Sequence, residues 1–461
     1  MRGMNTCATG VSRDVRKSTM QVIDTVRELR SECLRRRESL TARVLPVPLA
    51  ALRSWSMTED GSLAHETGRF FRVVGARDLS DPRQPLEQPL IEQREIGMLC
   101  LFVTQFDGEL HGLITFKFEP GTPDGIEVAP TVQATRSNYE SVHGGNRVAA
   151  AEIALSDDVC ALADAVQREQ ESWFLGKVNR NRIILLDTDT AVDMARTVPE
   201  SRWVPMPVLL EAALESRLLN MDLRSVLSMW PLEATASQSG PRPLTTGPGQ
   251  PVTGPRPTAQ DREPTGSNPR LVSLDRLSHW QIAESIEHRQ RRFFSIVGCR
   301  VEGQDREVAS WDQPLLAPAG PGQCTLLIRP GLEGPELLVS ERVRIGSVRG
   351  PSLEARFQRG DIADHATESR RRSMVAEASG LARCHEIHSA VHAEEGGRFR
   401  GAVSVYQLGL FADAPEGQLP GRWISLKEME RLVQGGDRLS VELRTCLTMI
   451  KGLLTIGALK P

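Results

Sequence analysis

The sequence predicts an α+β fold, built twice in tandem, and two observations carry that expectation. Four sequence words recur in the same order on either side of a single Pro/Gly-rich stretch. Each half also mixes short strand-like runs with a closing amphipathic helix. Arg69-Phe70-Phe71 with Val74-Gly75 returns as Arg292-Phe293-Phe294 with Val297-Gly298, and Gln88-Pro89-Leu90-Ile91 returns as Gln313-Pro314-Leu315-Leu316. Trp203 returns as Trp423, and Asp222-Leu223-Arg224-Ser225-Val226-Leu227 as Glu442-Leu443-Arg444-Thr445-Cys446-Leu447. Spacing is kept as well: Trp203 to Arg224 and Trp423 to Arg444 are both 21 residues, while Phe71 to Trp203 is 132 and Phe294 to Trp423 is 129. Chance supplies one such match easily, but hardly four in register.

The elements follow in chain order. Residues 1–45 form an N-terminal extension whose charged stretch 14–40 reads as helix, with Val22, Val26, Leu29 and Cys33 on one stripe that packs on a domain or on a second subunit. Residues 46–231 are the first module. Its strands are expected at Phe70–Val74, Met98–Thr104, His111–Phe118 and Arg182–Leu186, and its closing helix carries Leu219, Leu223, Val226 and Leu227. Residues 232–270 are rich in Pro, Gly, Ser and Thr and carry few large apolar side chains. They cannot bury enough surface to offset their ordering entropy, so they read as a flexible linker. Residues 271–461 are the second module, closed by a helix bearing Leu439, Leu443, Cys446 and Leu447.

Composition excludes several classes. At 461 residues the chain exceeds the roughly 250–300 that one core serves. A formal net charge of −3 gives no electrostatic case for nucleic acid or an anionic membrane. Apolar runs such as Ile183–Leu186 are too short to span a bilayer, and no secretory signal is expected after Arg2. Eight scattered Cys without a CxxC pair read as reduced thiols of a cytoplasmic protein.

The chemistry-bearing residues crowd into the first half. Strand alternation from His111 to Glu119 puts His111, Thr115, Lys117 and Glu119 on one face, where a base, a cation and a carboxylate stand in line; a solvated outer face is the bland alternative. Next come Pro130-Thr131-Val132-Gln133-Ala134-Thr135-Arg136-Ser137-Asn138-Tyr139, then His143-Gly144-Gly145. Trp173-Phe174 and Lys177-Val178-Asn179-Arg180-Asn181 follow. The second half has Pro351-Ser352-Leu353-Glu354-Ala355-Arg356-Phe357-Gln358 at the corresponding place, with no Asn-Tyr pair, no His-Gly-Gly and no Lys-x-Asn-Arg-Asn word, though it keeps Glu394 and Arg398.

These words resemble the NDP-hexose 2,3-dehydratases of antibiotic deoxysugar biosynthesis, from about residue 50 to 455 with a break at the linker. The resemblance implies a Nudix-like module present twice per subunit, a homodimer and no redox cofactor. It implies removal of water across C2 and C3 of dTDP-4-keto-6-deoxy-D-glucose, giving a 3,4-diketo-2,6-dideoxy sugar nucleotide for a downstream NADPH-dependent 3-ketoreductase. The C3 proton lies alpha to the C4 ketone, so a modest base removes it if the enolate is stabilised, and an acid protonates the departing hydroxyl. His111, Lys117, Glu119 and Tyr139 are the expected catalytic groups, with Lys117 as electrostatic stabiliser. Arg136, Lys177, Arg180 and Arg182, with Asn138, Asn179 and Asn181, are the expected supply of diphosphate donors, and Trp173 or Phe174 the ring that stacks on the base. His65, Arg69, Gln133, Thr135, His143, Gly144 and Gly145 complete the expected binding set, and the second module is expected to be non-catalytic. A catalytically inactive nucleotide-sugar binder or partner protein is the alternative.

Three patterns are set aside. Arg27-Glu28-Leu29-Arg30-Ser31-Glu32 imitates part of a Nudix box without its second acid or upstream Gly. His385, His388 and His392 beside Cys384 have helical spacing, yet no further Cys/His cluster completes a zinc site. Asp187-Thr188-Asp189 reads as the cap of a strand end rather than a metal pair. No metal and no Gly-rich dinucleotide fingerprint are expected.

Overall fold

A computed structural model describes residues 21–79, 86–135, 150–233, 267, 269–303, 310–359, 384–411, 419 and 421–460. Each repeat contributes one seven-stranded mixed sheet, and the two sheets share a topology. In the first, the order is β10 (Ala161–Arg168), β11 (Val178–Leu186), β6 (Gly97–Phe106), β7 (Glu109–Phe118) and β12 (Arg202–Pro205), with β8 (Ile126–Pro130) on β7 and β9 (Val132–Ala134) on β6. In the second, the order is β22 (His385–Ala393), β23 (Val403–Leu410), β18 (Gly322–Gly331), β19 (Gly334–Arg342) and β24 (Arg422–Ser425), with β20 (Ser352–Ala355) on β19 and β21 (Phe357–Arg359) on β18. The parallel pairs β6–β11 and β18–β23 occupy matching places. Trp203 lies opposite Leu113 as Trp423 lies opposite Leu338, so the repeated Trp marks one register position.

Among the described residues the helices are α1 (Val26–Glu38), α2 (Ala151–Leu155), α3 (Thr188–Thr197), α4 (Met206–Ala212), α5 (Met221–Leu227), α6 (Leu426–Gly435) and α7 (Val441–Thr455). Helix α1 starts at Thr25, whose hydroxyl accepts the Glu28 N–H, and it buries Leu29 and Cys33 against the first repeat. Asp187 caps α3 by accepting the Thr190 N–H, so it begins a helix rather than ending a strand. The His385–His392 stretch is β22, not the helix its spacing imitates, because the ladder to β23 claims its backbone groups. Among the described residues no helix is long and apolar enough to cross a membrane, and no group of three or more His, Cys, Asp or Glu is arranged to hold a metal ion.

Two smaller five-stranded sheets join the repeats by exchanging strands. One holds β2 (Trp55–Met57), β3 (Leu63–His65), β4 (Arg72–Asp78) and β5 (Leu86–Glu92), and takes β13 (Arg270–Val272) from the other half of the chain. Its twin holds β14 (Trp280–Ile282), β15 (Ile286–His288), β16 (Phe294–Glu302) and β17 (Ser310–Pro318), and takes β1 (Arg43–Val47). The exchange explains the repeated Val-Gly. Gly75 faces Val272 and Gly298 faces Val47, and a Cβ at either glycine would stand 2.5 Å from that residue's carbonyl oxygen.

The core also ignores the repeat boundary. One apolar cluster runs from Leu29, Val103 and Leu223 to Leu326, Leu443 and Met449. At its centre the repeated Leu-Arg words form a reciprocal clasp. Buried Arg224 on α5 donates to Leu219 O (2.5 Å) and to Ala393 O (2.7 Å) in the second repeat. Buried Arg444 on α7 donates to Leu439 O (2.8 Å) and to Arg168 O (2.6 Å) in the first. Each guanidinium thereby satisfies carbonyls from both repeats that would otherwise be buried without donors.

Candidate active site

The strands next to the clasp end in loops that cross between the repeats. The turn from β22 to β23 hooks onto the end of β7: Gly121 N donates to Gly396 O and Gly401 N to Gly121 O, both at 2.7 Å. The turn from β10 to β11 hooks onto the second repeat in the same way, with Gly346 N donating to Glu171 O at 2.9 Å and Gly176 N to Gly346 O at 3.0 Å. Only glycine fits these crossings, since a Cβ at Gly121 would stand 1.7 Å from Phe399 O and one at Gly346 would stand 1.9 Å from Phe174 O.

The first crossing closes a polar cluster. Lys117 and Glu119 stand at the end of β7 with 3.5 Å between Nζ and Oε1. Gln133 on β9 donates to Glu119 Oε1 at 2.8 Å and accepts from Asn220 Nδ2 at 2.9 Å. Glu169 is 1% exposed; Asn179 donates to its Oε1 at 2.7 Å, while its Oε2 has no partner among the described residues. Asp222, on the first turn of α5, is 5% exposed and leaves Oδ1 unpartnered in the same way. Buried Lys177 donates to Glu95 O, and Gly97 N donates to Asn179 Oδ1 at 3.0 Å. From the second repeat come half-buried Glu395 and Arg398. Gly397 sits between two carboxylates, with its would-be Cβ at 3.4 Å from Glu395 Oε1 and 3.6 Å from Glu119 Oε1.

These charges act on one another. Burial pushes the Glu169 carboxyl up to about 7, an effect that Glu395 adds to and Arg444 opposes. Burial, helped by the charges of Glu169, Glu395 and Glu119, holds Asp222 well above the usual carboxylate range. Glu395 is raised by burial, and Lys177 is lowered by it against the pull of Glu169 and Glu395. Near neutral pH the cluster therefore holds both protonated and ionised carboxyls, which is the equipment of a site that takes and gives protons.

The expected site residues divide. Lys117, Glu119, Gln133, Lys177 and Asn179 meet in this cluster. His111 lies at the far end of β7, buried against Phe106 with Nδ1 3.1 Å from Glu109 O. Arg180 faces away and pairs with Asp164 (2.7 Å) and Asp157 (3.0 Å), while Asn181 donates to Ser225 Oγ at 2.8 Å. His65 ends β3 and Arg69 lies in the β3–β4 turn, one layer off through Trp55 and Phe71, whose ring carries the Arg398 guanidinium at 4.4 Å. Thr135 is half-buried just past β9. Arg136, Asn138, Tyr139, His143, Gly144 and Gly145 lie outside the described residues. Asp222, Glu169, Glu395, Arg398 and Asn220 are additions. The repeat alignment held a signal for Asp222, because its word carries an acid in both copies among inward-facing apolar residues.

Trp173 goes to the other repeat. It packs on Phe399 at 4.4 Å and lines a cavity with Gln170, Gln358, Glu394, Ser404 and Glu442. There Glu394 accepts from Gln170 Nε2 at 2.8 Å and from Tyr406 Oη at 2.9 Å, so the counterpart of Glu169 is capped on both oxygens. Ala402 stands where the first repeat has Lys177, and Trp173 stands where the first cluster receives Arg398.

A buried acid–base cluster of carboxylates, lysines and one imported guanidinium, carried on a duplicated α+β frame, defines a class of protein that catalyses proton-transfer chemistry on a small organic substrate. Family comparison narrows the class. The NDP-hexose 2,3-dehydratase pattern matches residues 26–230 and again residues 258–450, and the chain belongs to that family. The dTDP-4-dehydro-6-deoxy-alpha-D-glucopyranose 2,3-dehydratase of Amycolatopsis orientalis is 32% identical over 435 residues, 92% of this chain and 89% of its own. The enzyme of the same name from Streptomyces violaceoruber is 33% identical over 437 residues, 90% of this chain and 95% of its own.

Proposed function

We propose that the chain eliminates water across C2 and C3 of dTDP-4-keto-6-deoxy-D-glucose, yielding the 3,4-diketo-2,6-dideoxy sugar nucleotide. The observation that carries this reading is the pair of buried, unpartnered carboxylate oxygens, Glu169 Oε2 and Asp222 Oδ1, beside Lys117 and Lys177. One ionised carboxylate removes the C3 proton, made acidic by the neighbouring C4 ketone. A protonated carboxyl gives its proton to the departing C2 hydroxyl, and the lysines stabilise the charge that builds on the carbonyl oxygen. The names of the two relatives point to the same substrate.

Each repeat is read as a Nudix-like module, the 46–231 module carrying the chemistry and the 271–461 module lacking it, with 232–270 as linker; the repeated mixed sheets support this. The protein works as a cytoplasmic homodimer and hands its unstable product to an NADPH-dependent 3-ketoreductase. Incubation with the substrate in deuterated water tests the activity. Exchange at C3 and trapping of the diketone, alone or with such a reductase, are expected; an inert substrate in both assays refutes it.

A further inference from the structure

We infer that Arg398, although it belongs to the second repeat, is a catalytic residue of the first repeat's site: its guanidinium faces the C4 oxygen of the bound ketosugar and stabilises the enolate formed there. The inference rests on the dehydratase reading above and adds to it a residue that the first repeat cannot supply. Arg398 reaches the cluster on the crossing loop that Gly121 holds at both ends. Its planar group is fixed on three sides, by the Phe71 ring at 4.4 Å, by donation from Nε to Gln93 Oε1 at 3.2 Å, and by donation from Nη1 to Gly397 O at 2.8 Å. Nη2 has no partner among the described residues, so one donor edge is held ready for an acceptor that the protein does not provide. A preorganised donor of this kind loses little on reorganisation when charge develops beside it.

Charge decides which end of the substrate that acceptor belongs to. The charges of Glu169, Glu395 and Glu119 act on Asp222, and those of Glu395, Glu119 and Asp222 act on Arg398. A diphosphate brought among them would add negative charge where the carboxyls already raise one another. The uncharged hexose ring meets no such repulsion, and the guanidinium's hold on its carbonyl oxygen strengthens as that oxygen becomes anionic. The part of an interaction gained only in that state raises kcat rather than affinity. The step balances without a co-reactant: the C3–H bond breaks to a carboxylate, its electron pair forms the C3–C2 double bond by way of the enolate on the C4 oxygen, and hydroxide leaves C2 as water on taking a carboxyl proton.

The test uses the full chain as wild type, Arg398→Ala and Arg398→Lys, with dTDP as the binding probe and the 4-ketosugar nucleotide as substrate. Arg398→Ala is expected to lower kcat and C3 exchange by roughly 10²–10³-fold while dTDP affinity stays within about twofold. Added guanidinium ion is expected to restore part of the rate. Arg398→Lys keeps charge without the fork and should fall between the two, and it carries the test if the alanine variant does not fold. Saturated turnover that survives either substitution overturns the inference. So does a loss of dTDP affinity matching the loss in kcat/KM, which would make Arg398 a phosphate anchor. Wild-type protein inert in both exchange and trapping would instead overturn the dehydratase reading, and this inference with it.

Discussion

Substituting Gly121 by alanine perturbs the active cluster without touching any group that carries charge. The new methyl would stand 1.7 Å from Phe399 O, so the 396–401 loop must retreat by roughly 1.5 Å before ordinary contact returns, with overpacking strain of about 1–3 kcal/mol. Retreat also breaks or stretches two 2.7 Å hydrogen bonds, Gly121 N to Gly396 O and Gly401 N to Gly121 O. Together these terms destabilise the fold by about 2–5 kcal/mol. Because Glu395 and Arg398 ride on the displaced loop, a shift of about 1 Å at the reacting groups should lower kcat about 10²-fold in the protein that remains folded.

Gly346→Ala is the matched control. Its methyl would stand 1.9 Å from Phe174 O and disturb the 2.9 and 3.0 Å bonds of the other crossing. Denaturant unfolding should therefore report a similar loss of stability for both variants. Single-turnover trapping of the product should separate them, with the kcat loss for Gly121→Ala exceeding that for Gly346→Ala by at least about tenfold. Equal losses of kcat, or native turnover in Gly121→Ala, would refute the claim that the first crossing closes the reacting site.

Three further outcomes follow from named contacts. Glu127 is 2% exposed with neither oxygen partnered among the described residues, and burial raises its carboxyl to about 8. The folded chain then keeps a proton that the unfolded chain releases at its ordinary value, so stability falls as pH rises from about 4.5 to about 8. Glu127→Gln should raise the denaturation midpoint at pH 8 and leave it unchanged near pH 4; an unaltered pH slope would count against a neutral buried Glu127. Arg224→Met and Arg444→Met each strip donors from buried carbonyls of both repeats and should cost about 3–5 kcal/mol by chemical denaturation, a loss below about 1 kcal/mol showing the clasp to be idle. Arg180→Ala removes only pairs with half-buried Asp164 and exposed Asp157, so stability should change by about 0–1 kcal/mol and KM stay within about twofold; a tenfold rise in KM would return Arg180 to the substrate.

What the sequence made legible was local or repeated. The Val-Gly and Gln-Pro-Leu words kept their register because one strand pairing exists twice, and Gly75 facing Pro89 is matched by Gly298 facing Pro314. Lys117, Glu119, Gln133, Lys177 and Asn179 were legible because strand alternation and a dense polar word mark them. The crossing was not, since Gly121 and Gly396 meet across 275 positions of chain and no periodicity reports a contact of that range. For the same reason nothing local to Trp173, expected as a base-stacking ring, reports that it packs among second-repeat residues. Asp222 was hidden differently: it sits in a word whose repetition reads as scaffold, and from there its acid joins the cluster of Glu169, Glu395 and Glu119. His111 shows the opposite error. Alternation placed it on the face of Lys117, but a ten-residue strand carries the two to opposite ends.

The crossing loops change what duplication means here. In a plain tandem array each repeat would supply its own loop, and the first repeat would present Trp173 and Gln170 to its own Glu169. Exchange reverses this. The charged pair Glu395 and Arg398 is encoded in the second repeat, and the aromatic Trp173 in the first. The second pocket thereby lacks Arg398 by delivery, and Lys177 by sequence, where Ala402 stands. Its Glu394 is capped by Tyr406 and Gln170, whereas Glu169 keeps one oxygen free. An acid with both oxygens already held by donors is a poor base. The difference between the two clusters thus follows from which loop each repeat receives, and cutting away the second repeat would take Glu395 and Arg398 from the first repeat's cluster.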